Sequence, residues 1–326
     1  MRLANAILQR LCNAILLIAA VIVFNFALIH LAPGDPAQVI AGEMGGANAK
    51  ILAEIRHAYG LDKPFLEQLW IYVSHVLRGD LGQSYYFNAP VAQLVAQRAL
   101  ATVLLVFSGL IAAIIFGTLL GVFSARRPRG ALSHGVTILS LVGYSAPVFW
   151  TGILLILLFA AAVPIFPVEG MMDPARTGGG WIGRAIDIAH HLVLPATSLG
   201  IVYLAQYSRL ARASMLDVLG ADYIRAARAK GLSENVVVYK HALRNAILPV
   251  VTVAGLDLGR VFAGAVLVET VFDWPGMGRL AYGSILRRDS PTLLGILLFS
   301  AVIVIIGNLL TDLAYRLIDP RIRTSA

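Results

Sequence analysis

Charged residues are scarce in this chain of 326 residues, of which 13% are Asp, Glu, Lys or Arg and 58% are hydrophobic. An ordinary soluble domain has about a quarter of its residues charged. So low a charge content excludes a soluble globular domain, and it indicates a chain that lies in a lipid bilayer.

Cysteine and lysine are also rare, and their scarcity excludes several kinds of chemistry. The one cysteine, Cys12, lies in an apolar stretch, so neither an intrachain disulfide nor a cysteine metal framework can form. None of the four lysines follows a glycine in a Gly-x-x-x-x-Gly-Lys-Ser/Thr loop, the sequence that cradles nucleotide phosphates. We therefore expect the chain itself to bind no cofactor and no metal, and not to be an enzyme.

Long hydrophobic runs are what the chain does contain. A helix crosses the hydrocarbon core with about 20 apolar residues, and six such runs are separated by more polar segments. The first run is too long for the apolar core of a secretory signal, so we interpret it as a retained membrane helix. The sequence predicts an all-α, polytopic integral membrane protein in which a single domain covers residues 1–326. The six predicted transmembrane helices are residues 11–31, 102–123, 135–159, 192–207, 246–268 and 293–313.

Lys and Arg are distributed unevenly between these spans. The net charge is +8, and the excess falls on the side that holds the N-terminus. Because positive residues near helix ends remain in the cytoplasm, we predict that both termini are cytoplasmic. The charge therefore points to the lipid membrane as a partner, and not to nucleic acid. The connecting segments are an outer segment over 32–98, a second outer loop over 160–191 predicted to be irregular, and a cytoplasmic loop over 209–245.

The outer segment 32–98 has two recognisable parts. Pro33-Gly34-Asp35-Pro36 predicts a turn, because prolines interrupt the hydrogen bonds of a helix. Apolar residues from Phe65 to Leu77 recur at helical spacing behind Asp62 and Pro64, which would serve as the cap and the first-turn residue. They predict an amphipathic helix that lies on the membrane surface or under a docked partner.

The cytoplasmic loop 209–245 predicts two short helices. Apolar residues recur at helical spacing from Met215 to Ala227, and a turn is predicted at Lys230-Gly231. Ser233 then stands where it would cap a second helix, with Glu234 in the first turn.

One stretch of this loop combines small residues with positive charge. Small side chains let another protein approach the backbone closely, while Arg and Lys form charge-assisted hydrogen bonds with a partner's carboxylates and carbonyls. The stretch therefore predicts a docking surface for a cytoplasmic partner; contact with anionic lipid headgroups is the alternative. The residues concerned are Tyr223, Arg225, Ala226, Ala227, Arg228, Lys230 and Gly231.

Polar and aromatic residues within the spans are candidates for a solute pathway. Asp257 and Arg260 are three residues apart in the fifth span, so they share a helical face and can form an ion pair. Charges at membrane depth face a protein interior or an aqueous path, and the pair therefore lines a solute route or locks two helices together. Tyr144, Trp150 and Asn308 are further candidates, for which helix packing is the alternative.

Several motifs, in order along the chain, resemble those of ABC-importer permeases in the dipeptide, oligopeptide and nickel branch. Ala226, Ala227 and Gly231 match the Ala-Ala-x-x-x-Gly core of the coupling loop in that family. Arg225 stands where the wider family has Glu, which puts the contact of that Glu with the ATPase in doubt. The other matching segments are residues 30–37, 79–84, 222–232, 241–245, 268–276 and 319–323.

The resemblance implies more than the residues show by themselves. It implies the type I permease fold of ABC importers, in the bacterial inner membrane, with most similarity to the first permease subunit of dipeptide importers. Such a subunit pairs with a second permease, sits on two ATPase subunits that bind ATP and Mg, and receives solute from a periplasmic or surface-anchored binding protein. The seven loop residues would then couple to the ATPase, and the solute would be a di- or oligopeptide, with nickel or glutathione as alternatives.

Two functions of other classes remain open from the sequence. An ATPase-independent channel would transport solute with no partner. An intramembrane hydrolase would use Ser145, which lies in Gly143-Tyr144-Ser145-Ala146-Pro147, although the second glycine of a nucleophile elbow is missing.

Overall fold

The computed structural model describes residues 2–31, 37–38, 48–58, 62–84, 86–175 and 180–318. The predicted turn at 33–36 and the C-terminal motif at 319–323 lie outside these residues. The chain packs as two compact units, Met1–Leu100 with Leu280–Ile306 and Ala101–Arg279 with Gly307–Ala326. The single domain over 1–326 therefore stays a prediction.

The described residues are mostly helical. Short irregular segments separate the helices, and two of the helices run into π-helical turns. The elements are α1 (Arg2–Leu31), α2 (Ala49–Ala58), α3 (Phe65–Leu77), β1 (Gln83–Ser84), β2 (Ala89–Pro90), α4 (Val91–Arg126), α5 (Ala131–Ser145), α6 (Val148–Ile156, with a π-turn Leu157–Ala162), α7 (Gly180–Leu219), α8 (Asp222–Ala229), α9 (Glu234–Val236, with a π-turn Val237–Ala242), α10 (Leu243–Ala246), α11 (Leu248–Val271), α12 (Met277–Arg287) and α13 (Ser290–Ile318).

Among the described residues, five helices are long and apolar enough to cross a membrane, and a bent helix pair makes a sixth if it counts as one span. This agrees with the prediction of six spans in an all-α membrane protein. The five single spans are Gln9–Leu28, Val91–Arg126, Gly180–Leu219, Leu248–Val271 and Ser290–Leu309.

The third predicted span, 135–159, is broken in the structure. Ser133–Ser145 and Val148–Ala162 meet at an angle of 107°. Pro147 causes the break, because a proline has no backbone N–H and disfavours helical geometry in the residue before it. Ala146 accordingly has an extended backbone, with φ −80° and ψ 131°. The sequence indicates a kink here, but not so large a change of direction.

The fourth span is much longer than predicted. The sequence predicts a span over 192–207 after an irregular loop that reaches residue 191, whereas α7 begins at Gly180 and contains Pro195 in its interior. The prediction of a loop up to residue 191 is therefore wrong. Two polar residues of the predicted loop, Asp187 and His191, lie on α7 and are buried, at 5% and 8% exposure. Membrane helices tolerate proline where neighbouring groups satisfy the freed backbone carbonyl.

In the first unit, helix α3 lies beside α1. The ring nitrogen Nε2 of His30 is 2.8 Å from Oε1 of Gln68, and the rings of Phe26 and Phe65 pack edge to face. The amphipathic helix predicted from the sequence is thus confirmed, with none of its residues buried. Asp62 is not its cap, because the helix follows Pro64 directly.

The hairpin β1–β2 is fixed to the start of α13 in the same unit. Ser84 donates a hydrogen bond of 2.7 Å to the carboxylate of Asp289, which also accepts the backbone N–H of Thr292 at 3.2 Å. Asp289 therefore caps α13 while it holds the hairpin. Asn25 of α1 donates to the carbonyl of Leu294 at 3.0 Å.

In the second unit, α4 packs against α7 through glycines. A Cβ atom at Gly117 would lie 2.8 Å from the carbonyl oxygen of Leu204, and one at Gly121 would lie 2.6 Å from that of Ser208. Small residues four apart let two membrane helices approach until their backbones touch. Gly117 and Gly121 therefore set the distance between these two spans.

Candidate functional site

The cytoplasmic loop forms a short helix between two turns. Helix α8 begins after a turn in which Gly220 donates to the carbonyl of Asp217 at 3.3 Å, so the single first helix predicted from Met215 to Ala227 is split. The turn predicted at Lys230-Gly231 is confirmed. Gly231 has φ +76°, a left-handed conformation that favours glycine, and its N–H donates to the carbonyl of Arg228 at 2.9 Å.

One face of α8 is buried in a hydrophobic cluster. Ile224 and Ala227 pack there against side chains of α4, α7 and the turns that follow α8. Of the small residues predicted to give a close fit to a partner, Ala226 and Gly231 are exposed, whereas Ala227 lies inside this cluster. The cluster fixes α8 to the membrane helices. Its buried members are Val122, Ala125, Met215, Ile224, Ala227, Val237, Val238, Ala242 and Ala246.

The opposite face of α8 carries the predicted polar residues. Arg225 forms an ion pair with Asp222 one turn away, and Arg228 forms one with Glu234 across the Gly231 turn. Both arginines are exposed and engaged within the chain. Tyr223, Arg225, Ala226, Arg228 and Lys230 are all exposed on this face, which we call the docking face.

Hydrogen bonds outside α8 hold the ends of the docking face. The side-chain amide of Asn245 donates to the hydroxyl of Tyr223 at 2.8 Å. The hydrogen bonds from Arg228 lower the pKa of Glu234, and the same contact raises the pKa of Arg228. Ser233 precedes α9 as predicted, but its side chain makes no capping hydrogen bond.

The structure brings the predicted pair Asp257 and Arg260 together on α11. Nη1 of Arg260 is 3.5 Å from Oδ1 of Asp257, as their spacing predicts. The side chain of Asp257 is 1% exposed, whereas that of Arg260 is 79% exposed. From α7, Gln206 and Tyr207 donate to Oδ2 of Asp257 at 3.0 and 3.2 Å. Asp257 thus holds α11 to α7.

The other candidates for a solute pathway lie on three different helices. Tyr144 is in the last turn of α5, where the guanidinium of Arg209 stacks on its ring at 4.8 Å. Trp150 on α6 and Asn308 on α13 are exposed. Among the described residues, no hydrogen bond or ion pair joins any of these three to Asp257 or Arg260.

A buried carboxylate, Glu269, lies at the outer end of α11 and is not among the residues predicted for the site. It is 0% exposed and accepts the hydroxyl of Thr102 at 2.6 Å and the backbone N–H of Arg279 at 3.0 Å. The N–H of Met277 in turn donates to the hydroxyl of Thr102 at 2.7 Å. A Cβ at Gly276 would clash with this carboxylate. We call these residues the Glu269 cluster. Two signals in the sequence point to it, a charge in the last turn of an apolar helix and the matching segment 268–276, but neither indicates Thr102.

The Glu269 cluster fastens three helices. Thr102 belongs to α4, Glu269 to α11, and Met277 and Arg279 to the first turn of α12. The carboxylate lies at the N-terminus of α12, where the helix dipole favours negative charge. Trp274, which precedes α12, donates from its ring to the carbonyl of Ala101 at 2.9 Å. The cluster therefore fixes the outer end of α11 to α4 and to the start of α12.

Fold and site together define a multi-pass helical membrane protein that presents a short, basic helix on its cytoplasmic side. Helix α8 is held rigidly to α4 and α7 by its buried face, and a partner has access to the other. Such an arrangement can transmit the movement of a soluble partner to membrane helices.

Two family models match this chain. The model of the inner membrane component of binding-protein-dependent transport systems matches residues 117–324, and the model of the N-terminal part of such components matches residues 3–106. The chain belongs to this family, the permease subunits of ABC importers, and is a multi-pass protein of the bacterial inner membrane.

Named relatives match over almost the whole chain. It is 41% identical to the dipeptide transport system permease protein DppB of Escherichia coli (strain K12), over 97% of this chain and 98% of that protein. It is 42% identical to the di/tripeptide permease protein DppB of Pseudomonas aeruginosa (strain UCBPP-PA14), over 93% and 94%. It is also 42% identical to the glutathione permease protein GsiC of Salmonella choleraesuis (strain SC-B67), over 98% and 99%.

A solved structure shares the fold. The MetNI methionine ABC transporter, in inward-facing conformations, matches with a TM-score of 0.55 at 16% identity, over 70% of this chain and 97% of that chain. The fold expected from the motifs, that of an ABC-importer permease, is therefore confirmed.

Proposed function

We propose that this chain forms half of the translocation pathway of an ATP-driven importer for short peptides. A second, homologous permease forms the other half. Two cytoplasmic ATPase subunits bind ATP and Mg and supply the work, and a periplasmic or surface-anchored binding protein delivers the solute. The permease names of the relatives support the solute class, and the docking face supports the coupling.

The docking face is the observation that carries this proposal. The ATPase contacts the five residues of the docking face, which are Tyr223, Arg225, Ala226, Arg228 and Lys230. Gly231 ends the helix in a tight turn, so the ATPase can approach the backbone closely. When ATP closes the ATPase dimer, α8 moves as a rigid lever, because Ile224 and Ala227 fix it to α4 and α7. The membrane helices then rearrange around a cavity between the two permeases.

Two solute classes have support among the relatives. Permeases named for dipeptide transport and for glutathione transport are about equally similar to this chain. Both solutes are short, zwitterionic peptides. We therefore propose short peptides as the class, and nickel, which belongs to the same branch, as the weaker alternative.

Replacement of Gly231 tests the coupling. A β-branched residue is strained at φ +76°, although nothing lies within 4 Å of a Cβ there. We expect Gly231→Val to displace the docking face, so that uptake by the reconstituted importer falls while ATP hydrolysis continues. Uptake at the level of the unchanged protein would contradict the proposal.

Gly79 offers a matched control. It has φ +81° and also has nothing within 4 Å of a Cβ, but it lies in the outer segment. Gly79→Val imposes the same backbone strain far from the ATPase, so it should leave the ratio of ATP hydrolysed to peptide imported unchanged.

Reconstitution of this chain without any ATPase tests the alternative of an ATPase-independent channel. Uptake by the chain alone would support that alternative and contradict the proposed importer.

A further inference from the structure

Arg260 is an exposed charge in the middle of a membrane span. Helix α11 covers Leu248–Val271, and the Arg260 side chain on it is 79% exposed. An arginine at this depth is strongly disfavoured against lipid, so it faces an aqueous path or another protein. Its position therefore marks a face of α11 that lipid does not cover.

The face of α11 around Arg260 has the composition of a pathway lining. A lipid-facing stripe would consist of large apolar residues, whereas this stripe is mixed and has a charge at its centre. Its exposed residues recur at helical spacing. They are Thr252, Leu256, Arg260, Ala263, Leu267 and Thr270.

Asp257 is occupied by other groups and cannot bind the solute. Its Oδ2 accepts hydrogen bonds from Gln206 and Tyr207, and its Oδ1 faces Arg260 at 3.5 Å. At 1% exposure, its side chain is also out of reach from the pathway. The long contact of 3.5 Å orients the guanidinium but does not saturate its five N–H donors.

We propose that Arg260 binds the free carboxylate of the transported solute in the membrane, and that Asp257 is the positioning residue which orients it. A guanidinium can bind a carboxylate with two parallel hydrogen bonds, so it suits a group that dipeptides and glutathione share. This inference rests on the proposed function as a short-peptide permease. It adds a binding site within the span to the selection made by the binding protein.

The single cysteine of the chain makes a chemical test possible. Cys12→Ala gives a parent chain without a thiol, and Arg260→Cys is introduced into it within the complete importer. We expect the KM for dipeptide uptake to rise roughly tenfold or more, since a hydrogen bond to a charged group is lost. A methanethiosulfonate that attaches a trimethylammonium group should recover part of the uptake, and one that attaches a sulfonate should not.

Protection by the solute completes the test. Dipeptide should slow the modification of the introduced thiol in the Arg260→Cys importer, because it occupies the same site. Equal recovery with both reagents, or a KM unchanged from that of the parent, would overturn the inference. An Arg260→Cys chain that no longer assembles with its sister permease would also overturn it, because Arg260 would then bind an acidic group of that subunit.

Asp257→Asn separates the positioning role from a structural one. The amide keeps the shape of the side chain, so we expect normal assembly, a severalfold rise in the KM for dipeptide and an unchanged kcat. Loss of assembly would show that Asp257 only locks α11 to α7. Failure of the Cys12→Ala parent to import dipeptide would contradict the proposed function itself, whatever Arg260 does.

Discussion

Arg228 and Glu234 form a two-point ion pair across the Gly231 turn. Nη2 of the arginine lies 2.8 Å from Oε1 of the glutamate, and Nε lies 3.2 Å from Oε2. The pair joins α8 to α9, so it closes the turn that ends the docking face. A two-point contact restricts the angle between the two helices more than a single contact does.

This ion pair predicts a pH dependence of the docking face. Arg228 lowers the pKa of Glu234 in the folded chain, so the pair stabilises the turn above the ordinary pKa of a glutamate. This stabilisation is lost as the pH falls through the lowered pKa. The pair is exposed and contributes below about 1 kcal/mol. The protection of the 222–242 amides against hydrogen exchange, measured relative to an unfolded peptide at the same pH, should fall towards acid pH. Glu234→Gln should remove the part of that change which is due to the pair.

Replacement of the two adjacent alanines of α8 by leucine should have different effects, on stability at Ala227 and on ATPase binding at Ala226. Ala227 is buried in the hydrophobic cluster, so Ala227→Leu should overpack it and cost about 1–3 kcal/mol of stability. Ala226 is exposed, so Ala226→Leu should leave the isolated permease stable but obstruct the ATPase. Thermal unfolding and co-purification with the ATPase measure the two effects. Equal stability losses would show that both alanines are packed alike.

Much of the fold can be predicted from the sequence, because a membrane span requires a continuous run of apolar residues, which is a local feature of the sequence. The spans at 102–123, 246–268 and 293–313 are recognisable, since each has a long apolar run with polar flanks. Residues 180–191 are not, because Asp187 and His191 resemble loop residues until tertiary packing is known. In the structure the carboxylate of Asp187 on α7 accepts the backbone N–H of Asp173 at 2.8 Å. The composition of residues 180–191 does not predict this hydrogen bond.

The candidate site shows the same division. The turn at Gly231 is predictable, because a glycine after a helical pattern is a local signal. The burial of Ala227 and the exposure of Ala226 are not, since they depend on where α4 and α7 lie. The Glu269 cluster joins residues 167 positions apart, and no local pattern indicates Thr102 as the partner.

The Glu269 cluster should contribute strongly to stability. Thr102→Val keeps the shape of the side chain but removes the hydroxyl, so Glu269 and the N–H of Met277 each lose a buried partner. Such a loss costs about 1–3 kcal/mol for each unsatisfied group. We expect a clearly lower thermal midpoint in detergent for Thr102→Val. A midpoint equal to that of the unchanged chain would mean that water replaces the hydroxyl.

The glycine contact between α4 and α7 should not tolerate a side chain. Gly121→Val would place methyl groups against the backbone of α7, where a Cβ already lies 2.6 Å from the Ser208 carbonyl. We expect the amount of folded Gly121→Val protein recovered from membranes to fall sharply. Gly135→Val is the control, because nothing lies within 4 Å of a Cβ at Gly135. Equal yields of the two variants would show that α4 and α7 do not touch there.

Contact between the docking face and the ATPase can be measured by cross-linking. In a Cys12→Ala chain, a thiol at position 226 (Ala226→Cys) should form a cross-link to an ATPase subunit in the assembled importer, and should be shielded there from a soluble maleimide. A thiol at the buried position 237 (Val237→Cys) should form no cross-link and should not react with the maleimide, with or without the ATPase. If position 226 reacts with the maleimide at the same rate whether or not the ATPase is bound, the docking face does not meet the ATPase, and the proposed coupling is wrong.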